Sequence, residues 1–472
     1  MVIKFHDREK ELHFIEDAYE KRSIKSIMLV LYGRRRVGKT TLIKKFIDGR
    51  KFLYLFVEPK SEKELLTELE DSLTIMLGIR PRLDNWDDLL RLIFTDIKNC
   101  IIVFDEFQNF LQIDPEFYSK LQKYWDEYHL TSQIFLITIG SYVGIMKKIF
   151  TDKKEPLFGR ADFLFNLKPF NFFETNRFIE RSVEETCEIY AIFGGVPKYL
   201  LYTMLYFEKT IELINKLFID EPAPLMEEGK NILIMEFGSA HKGYFSILEA
   251  VAQGKTVQHE IVTHTGLNKD TVGKYLYELV HAYGILKRNY PVTAKNKSPR
   301  QSRYMISDNF YRFWFRFIYK NQSILISNPD ALKALIARDI NTYYGFVFED
   351  IAREFLIELN KQQNRLPFSF LHIDKWWHRE EEIDLIAFDE GNNILFCEVK
   401  WKNLSLQESI HVLDKLKRKA MSVNWKNSRR MEHFAIIAKN IKGKCEIQKK
   451  GYLAFDLDDF KEICETSGFV RP

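Results

Sequence analysis

Gly33-x-x-x-x-Gly38-Lys39-Thr40 lies between an apolar run, Ile27–Tyr32 (IMLVLY), and a helix-forming one, Thr41–Ile47. Glycines permit backbone angles that other residues resist, and a loop built this way turns its amides inward on a phosphate chain. The helix that follows presents its positive end to the same phosphates. Lys39 would reach the β- and γ-phosphates of ATP or ADP, and Thr40 would ligate Mg²⁺. The candidate nucleotide-binding residues are Gly33, Arg34, Arg35, Arg36, Val37, Gly38, Lys39, Thr40 and Thr41. A glycine turn that binds nothing is the alternative. A second apolar run, Cys100–Phe104 (CIIVF), ends in Asp105-Glu106, 65 residues beyond Thr40. Asp105 would hold Mg²⁺, and Glu106 would polarise the attacking water beside the γ-phosphate. Ser141 is placed to sense the γ-phosphate, and Arg160 (in PLFGRADF) to neutralise transition-state charge.

A second group of chemistry-bearing residues lies near the other end of the chain. Ile383–Phe388 and Asn393–Lys400 read as strands of a hairpin turning at Asp389–Asn392. Asp384 lies in the first strand and Glu398-Val399-Lys400 near the end of the second, so Glu398 and Lys400 face one way. Two carboxylates and a lysine on one face suit a hard divalent cation, Mg²⁺ or Mn²⁺, with a nearby water. Asp384 and Glu398 would be ligands, with the Val399 carbonyl as a further one. Lys400 would activate water or neutralise phosphate charge. Glu349, on the preceding amphipathic stretch Phe346–Asn360, would complete the acidic cluster. An ordinary charged surface hairpin is the alternative. His372, His378 and His411 have no metal-ligand spacing, and Trp376-Trp377 reads as core or interface.

The elements needed to position the first group are legible. Phe52–Val57, Gln133–Ile139 and Phe163–Leu167 add strand-like runs, separated by helical segments such as Tyr118–His129. That alternation predicts a parallel sheet with helices on both faces. From His241 three short helical stretches are followed by two strands around a basic loop, the layout of a winged helix-turn-helix. Between His241 and Ser307 ten Lys and Arg face four acids, a balance of +6 against +4 for the whole chain. Six of the ten (Lys287, Arg288, Lys295, Lys297, Arg300, Arg303) fall in the hairpin with no acid among them. Such a loop suits a phosphate backbone, and DNA is the expected partner. Asn268, Lys269, Lys274 and Tyr277 could face a groove from the third helix. A protein-interaction module or a rigid spacer is the alternative.

The whole chain of 472 residues is 46% hydrophobic and 29% charged, a globular composition. No apolar run approaches a membrane span, no secretory segment opens the chain, and five cysteines stand far apart. The expected location is the cytoplasm, without a membrane partner; self-association is left open.

The first group, together with Phe5–Leu12 (FHDREKEL) and Tyr190–Leu200 (YAIFGGVPKYL), resembles the archaeal-type ATPase family of P-loop proteins, related to the AAA+ and STAND groups. The resemblance implies an opening motif near the adenine and a Gly-Gly-x-Pro segment in a helical lid. The second group, with FEDIAREFL and CEVKW, is similar to the PD-(D/E)xK restriction-endonuclease-like superfamily, although Glu382-Ile383-Asp384 replaces its literal Pro-Asp. The expected fold is α/β and multidomain. It comprises a P-loop ATPase core (1–168), a helical lid (169–238), a winged helix (239–308), a helical connector (309–345) and a nuclease-like domain (346–472). The function implied is ATP-dependent action on DNA. The alternative is a STAND-like switch with protein partners and an inactive nuclease-like domain.

Overall fold

The computed structural model describes residues 8–206, 208–362 and 364–466, with Arg300 and Thr466 lacking described side chains; Phe5–Asp7 of the opening motif lie outside them. Five strands, β1 (Ile27–Tyr32), β2 (Phe52–Phe56), β3 (Ile101–Asp105), β4 (Phe135–Gly140) and β5 (Phe163–Asn166), form a sheet in the order β2-β3-β4-β1-β5. Every pairing in it is parallel. Parallel strands need long crossovers, and the helices that supply them bury both faces of the sheet. Alternate residues of the strands serve the two sides. Met28, Val30, Ile102 and Phe104 pack with Trp86, Phe107 and Phe117. Leu29, Leu31, Val103 and Ile137 pack with Leu42 and Phe46.

The order has a chemical consequence. β4 separates β1 from β3, with Tyr32 beside Gly140 and Asp105 beside Ile139. The carboxyl ends of β1, β3 and β4 therefore emerge side by side, where open α/β sheets bind their ligands.

This sheet and its helices form one compact unit, reaching to Pro169 and including Tyr277–Gly284. Phe170–Leu276 and the chain from Ile285 onward form a second. The latter takes in most of what the sequence divides into lid, winged helix, connector and nuclease-like domain. It holds the helices Phe172–Ile179, Val183–Phe193, Pro197–Leu205, His241–Ala252 and Gln258–Thr265. An antiparallel pair, β6 (Leu286–Asn289) and β7 (Arg303–Ile306), follows. A mixed sheet comes last, built from β8 (His372–His378), β9 (Glu381–Phe388), β10 (Asn393–Leu404), β11 (Met431–Ile441) and β12 (Leu453–Phe455). Its order is β12-β11-β10-β9-β8; β8, β9 and β10 run antiparallel, and β10, β11 and β12 parallel. One face is covered by the Leu406–Ala420 helix through Leu413, Leu416 and Ala420.

One expected boundary is corrected. The helix expected to start at Phe346 starts at Pro329 and runs unbroken to Asn360. The Asn328 side chain accepts from the Ala331 amide, and Pro329 takes the first turn, where no N–H is needed. Leu332, Ile336, Ile340, Tyr343 and Val347 then continue the buried stripe, so the line drawn at 345/346 cuts a single helix. Among the described residues no helix is long and apolar enough to cross a membrane, and all five cysteines are free.

Glu354 of this helix accepts from the Phe172 amide (2.7 Å) and the Tyr190 hydroxyl (3.0 Å). Burial pushes its carboxyl up from 4.5 to about 7, and those two donors only partly offset the shift. The folded chain thus holds a proton that the unfolded chain releases near pH 4.5. Stability from this group is full below that pH and lost as pH rises through about 7, amounting to ~3 kcal/mol at most. Glu354→Gln should flatten the fall in unfolding free energy between pH 5 and 8, measured by urea denaturation. A slope matching the wild type would refute the assignment.

Candidate functional sites

In the first unit β1 delivers Gly33, whose amide donates to the Gly140 carbonyl at 3.3 Å. A Cβ on Gly33 would lie 2.4 Å from the Leu167 carbonyl oxygen, so this position admits only glycine. Gly38 has φ 93°, in the left-handed region, and the Lys39–Ile47 helix opens directly after it. Lys39 is buried, and its ammonium donates to the carbonyls of Gly33 (2.8 Å) and Arg34 (3.0 Å), bracing the loop from within. Arg35 donates to the Tyr142 hydroxyl at 2.9 Å. Val37 is buried, whereas Thr41 is exposed.

Asp105 is 1% exposed at the end of β3, and burial pushes its carboxyl upward. Its Oδ2 accepts from Thr40 Oγ1 (2.8 Å) and from the Tyr54 hydroxyl; its Oδ1 accepts from the Glu106 amide (2.9 Å). Glu106 has φ 58°, a left-handed conformation that is costly for a residue with a side chain. Its Oε1 accepts from Ser141 Oγ (2.7 Å) and its Oε2 from Gln108 Nε2. The structure therefore brings Lys39, Thr40, Asp105, Glu106 and Ser141 to one edge of the sheet. Arg160 is engaged locally: its guanidinium forms a two-pronged pair with Asp126 (2.9 and 2.7 Å) and donates to the Phe158 carbonyl. A lysine-braced glycine loop at a helix start, next to a hydroxyl and a buried carboxylate, has the donor set that a nucleotide with Mg²⁺ requires.

Sequence reading missed Tyr54 and Gln108. Tyr54 stands opposite Val103 in the β2–β3 register, a pairing that no local pattern reveals. Gln108 lies two residues past Glu106, where its side chain closes over Gly140.

In the second unit the β8–β9 register shifts between Asp374 and Trp376, opposite the segment of β9 that carries Asp384. Such irregularities re-aim side chains. Asp384 Oδ2 accepts from the Val399 amide at 2.8 Å. The Lys400 ammonium lies 3.4 Å from that oxygen and 2.9 Å from Glu398 Oε1. Asp384, Glu398 and Lys400 are thus in mutual reach. Lys419, from the helix over the sheet, adds contacts of 3.1 and 3.3 Å to the two Glu398 oxygens.

Glu349, expected to complete the acidic cluster, has its carboxylate paired with the buried Lys375 ammonium. Burial pushes it to about 7, eased by Lys375 and reinforced by the charge of Asp384. Among the described residues no group of three or more His, Cys, Asp or Glu is arranged to hold a metal.

A parallel sheet whose first strand opens into this loop defines a P-loop ATPase-type domain. Residues 5–203 match the model of an ATPase domain predominantly from Archaea. Residues 314–412 match a family described as Archaea bacterial proteins of unknown function. The Methanocaldococcus jannaschii protein called uncharacterized protein MJECL04 is 35% identical over 469 residues, covering 97% of this chain and 100% of that protein. Uncharacterized ATP-binding protein MJ0423 of the same organism is 46% identical over 50 residues, 11% of this chain and 81% of that protein. The Walker-type ATPase PABY2304 of Pyrococcus abyssi superposes with a TM-score of 0.50 at 19% identity, over 66% of this chain and 96% of that one, a likeness of fold. The chain belongs to the family of the full-length M. jannaschii relative, in which an archaeal-type ATPase domain precedes the domain of unknown function.

Gly33→Ala tests the loop directly. The added methyl meets backbone rather than a yielding side chain. We expect a loss of about 1–3 kcal/mol in stability and at least tenfold weaker binding of a fluorescent ADP analogue. Wild-type affinity in this variant would contradict the packing.

Proposed function

We propose that the chain binds and hydrolyses ATP at the end of β1 and couples that cycle to action on DNA by its second unit. The observation that carries the hydrolytic part is the contact chain Thr40–Asp105–Glu106–Ser141, assembled beside a loop braced by Lys39. Lys39 and the loop amides take the phosphates, and Thr40 and Asp105 hold Mg²⁺. Glu106 receives the proton of the attacking water, and Ser141 reports the γ-phosphate. Mg²⁺ supplies charge neutralisation on the phosphates when bound. Arg160 joins this chemistry only by leaving Asp126.

Three helical segments and the β6–β7 pair read as a winged helix that holds the backbone of DNA. Asp384 and Glu398 read as ligands of Mg²⁺ or Mn²⁺, and Lys400 as the group facing the scissile phosphate. The support is the convergence of these three side chains from adjacent strands. A second reading rests on a different observation. Lys375, Lys400 and Lys419 already neutralise Glu349, Asp384 and Glu398, which favours a regulatory switch whose C-terminal sheet does not cut.

Lys39→Ala should abolish or strongly weaken nucleotide binding. Glu106→Gln should retain binding and slow hydrolysis by at least tenfold, in line with the 10²–10⁴-fold worth of general base catalysis. Hydrolysis at the wild-type rate by Glu106→Gln would remove Glu106 from the role of base.

A plasmid-nicking assay with Mg²⁺ or Mn²⁺ separates the two C-terminal readings. Nicking that disappears in Asp384→Ala and in Lys400→Ala, with ATPase intact, supports the nuclease. No nicking by the wild type supports the switch.

A further inference from the structure

The basic loop between β6 and β7 is not a free wing. The Val292 amide donates to the Lys375 carbonyl of β8 at 3.1 Å, and the Val292 side chain packs against the core of the C-terminal sheet. The Trp377 indole donates to the Gln301 carbonyl at 3.1 Å. Arg303 pairs with Glu382 of β9 at 2.8 Å while its guanidinium lies 4.7 Å from the Trp377 ring centre. Backbone, apolar and ionic contacts thus stitch the loop to the outer strands of the sheet, all within one compact unit.

This stitching sorts the cations of the region. Arg303 is committed to Glu382 and Trp377, so it fastens the loop rather than meeting a ligand, and Trp377 is buried beneath it. Lys287, Lys295 and Lys297 remain exposed on the hairpin. A groove lined by Val257, Gln301, Arg303, Trp377 and His378 leads to Arg379, exposed at the β8–β9 turn. Glu382 is two residues from Asp384 on the same strand, a distance of roughly 7 Å. The stitched loop and the β8–β9 turn therefore border the strand that carries Asp384.

We propose that this surface is a single phosphate-backbone platform, in which Lys295 and Lys297 of the loop and Arg379 of the β8–β9 turn hold the same duplex DNA beside Asp384. The inference deepens the proposed action on DNA and rests on it. What it adds is Arg379 as a DNA contact and the stitched loop as part of the C-terminal site. The occupant argued for is a nucleic-acid backbone because Lys287, Lys295, Lys297 and Arg379 are spaced, exposed cations, whereas the large aromatic side chain in the groove, Trp377, is covered. Glu380 and Glu381 are exposed beside Arg379 and must turn away from the phosphates. Binding should accordingly be insensitive to sequence and steep in salt.

Fluorescence anisotropy of the full chain with a mixed-sequence 30-base-pair duplex, in EDTA so that no cutting occurs, reads this directly. Lys295→Glu/Lys297→Glu and Arg379→Glu each alter only exposed side chains, and circular dichroism verifies folding. Each variant should lower affinity at least tenfold. The log–log salt slope should fall by about 0.9 for each contact removed. Arg303→Met, which unfastens the loop, should reduce the effect of Arg379→Glu, since the two halves would no longer hold one duplex together.

If the lysine variant weakens binding while Arg379→Glu keeps wild-type affinity and slope, the loop acts as an independent wing. The inference then fails and the reading of DNA action survives. If the wild type binds no duplex even at low salt, that reading fails and takes the inference with it.

Discussion

A carboxylate with 1% exposure organises the nucleotide unit. Burying a charge is costly unless hydrogen bonds replace its lost water, and Asp105 receives three from Thr40, Tyr54 and the Glu106 amide. Each donor comes from a different part of the fold: the helix after the glycine loop, strand β2, and the turn that ends β3. Their convergence requires the β2-β3-β4 order and its register. The carboxylate therefore ties the sheet's topology to the placement of the loop. Glu106, next in the chain, adopts a left-handed conformation, and its side chain meets Ser141.

The second unit balances buried acids differently. Glu349, Asp384 and Glu398 are met by Lys375, Lys400 and Lys419, ammonium groups rather than hydroxyls and amides. A divalent cation entering between Asp384 and Glu398 has to displace the Lys400 ammonium or share its ligands. On the nuclease reading Asp384 and Glu398 would hold the cation, and Lys400, released from them, would supply positive charge to a phosphate. The same ledger, left undisturbed, describes a sheet stabilised by ion pairs. Both readings follow from one arrangement, and only the response to metal distinguishes them.

Much of this was legible in the sequence, for local reasons. The loop Gly33–Thr41 declares itself through glycine placement, and the five strands of the first sheet through apolar runs bounded by polar turns. Asp384, Glu398 and Lys400 were legible because the Asp389–Asn392 turn fixes which strands are neighbours. What escaped depends on contacts between distant segments. Tyr54 meets Asp105 across 51 positions, and Lys419 meets Glu398 across 21. The loop from Tyr290 to Ser302 reads as a free wing because its charges are visible in sequence and its anchors are not. Val292, Gln301 and Arg303 acquire meaning only against β8 and β9. The start at Pro329 lies well before the Phe346–Asn360 stretch read from the sequence, because the buried stripe from Leu332 to Val347 carries the helix through Gly345.

The contacts of Glu106 carry the last step. A carboxylate acts as a base through an oxygen lone pair, and here each oxygen already accepts a hydrogen bond, from Ser141 or from Gln108. Both oxygens are therefore engaged, and the arrangement leaves neither one turned to a water. On the proposed reading, a γ-phosphate near Ser141 competes for the hydroxyl proton as a stronger acceptor. Ser141 then turns to the phosphate, and Oε1 of Glu106 becomes available to a water. Gln108 stays on Oε2 and keeps the side chain aimed. On that reading the group proposed to detect the phosphate is also the group that holds Glu106, so hydrolysis would follow nucleotide occupancy without a separate moving part.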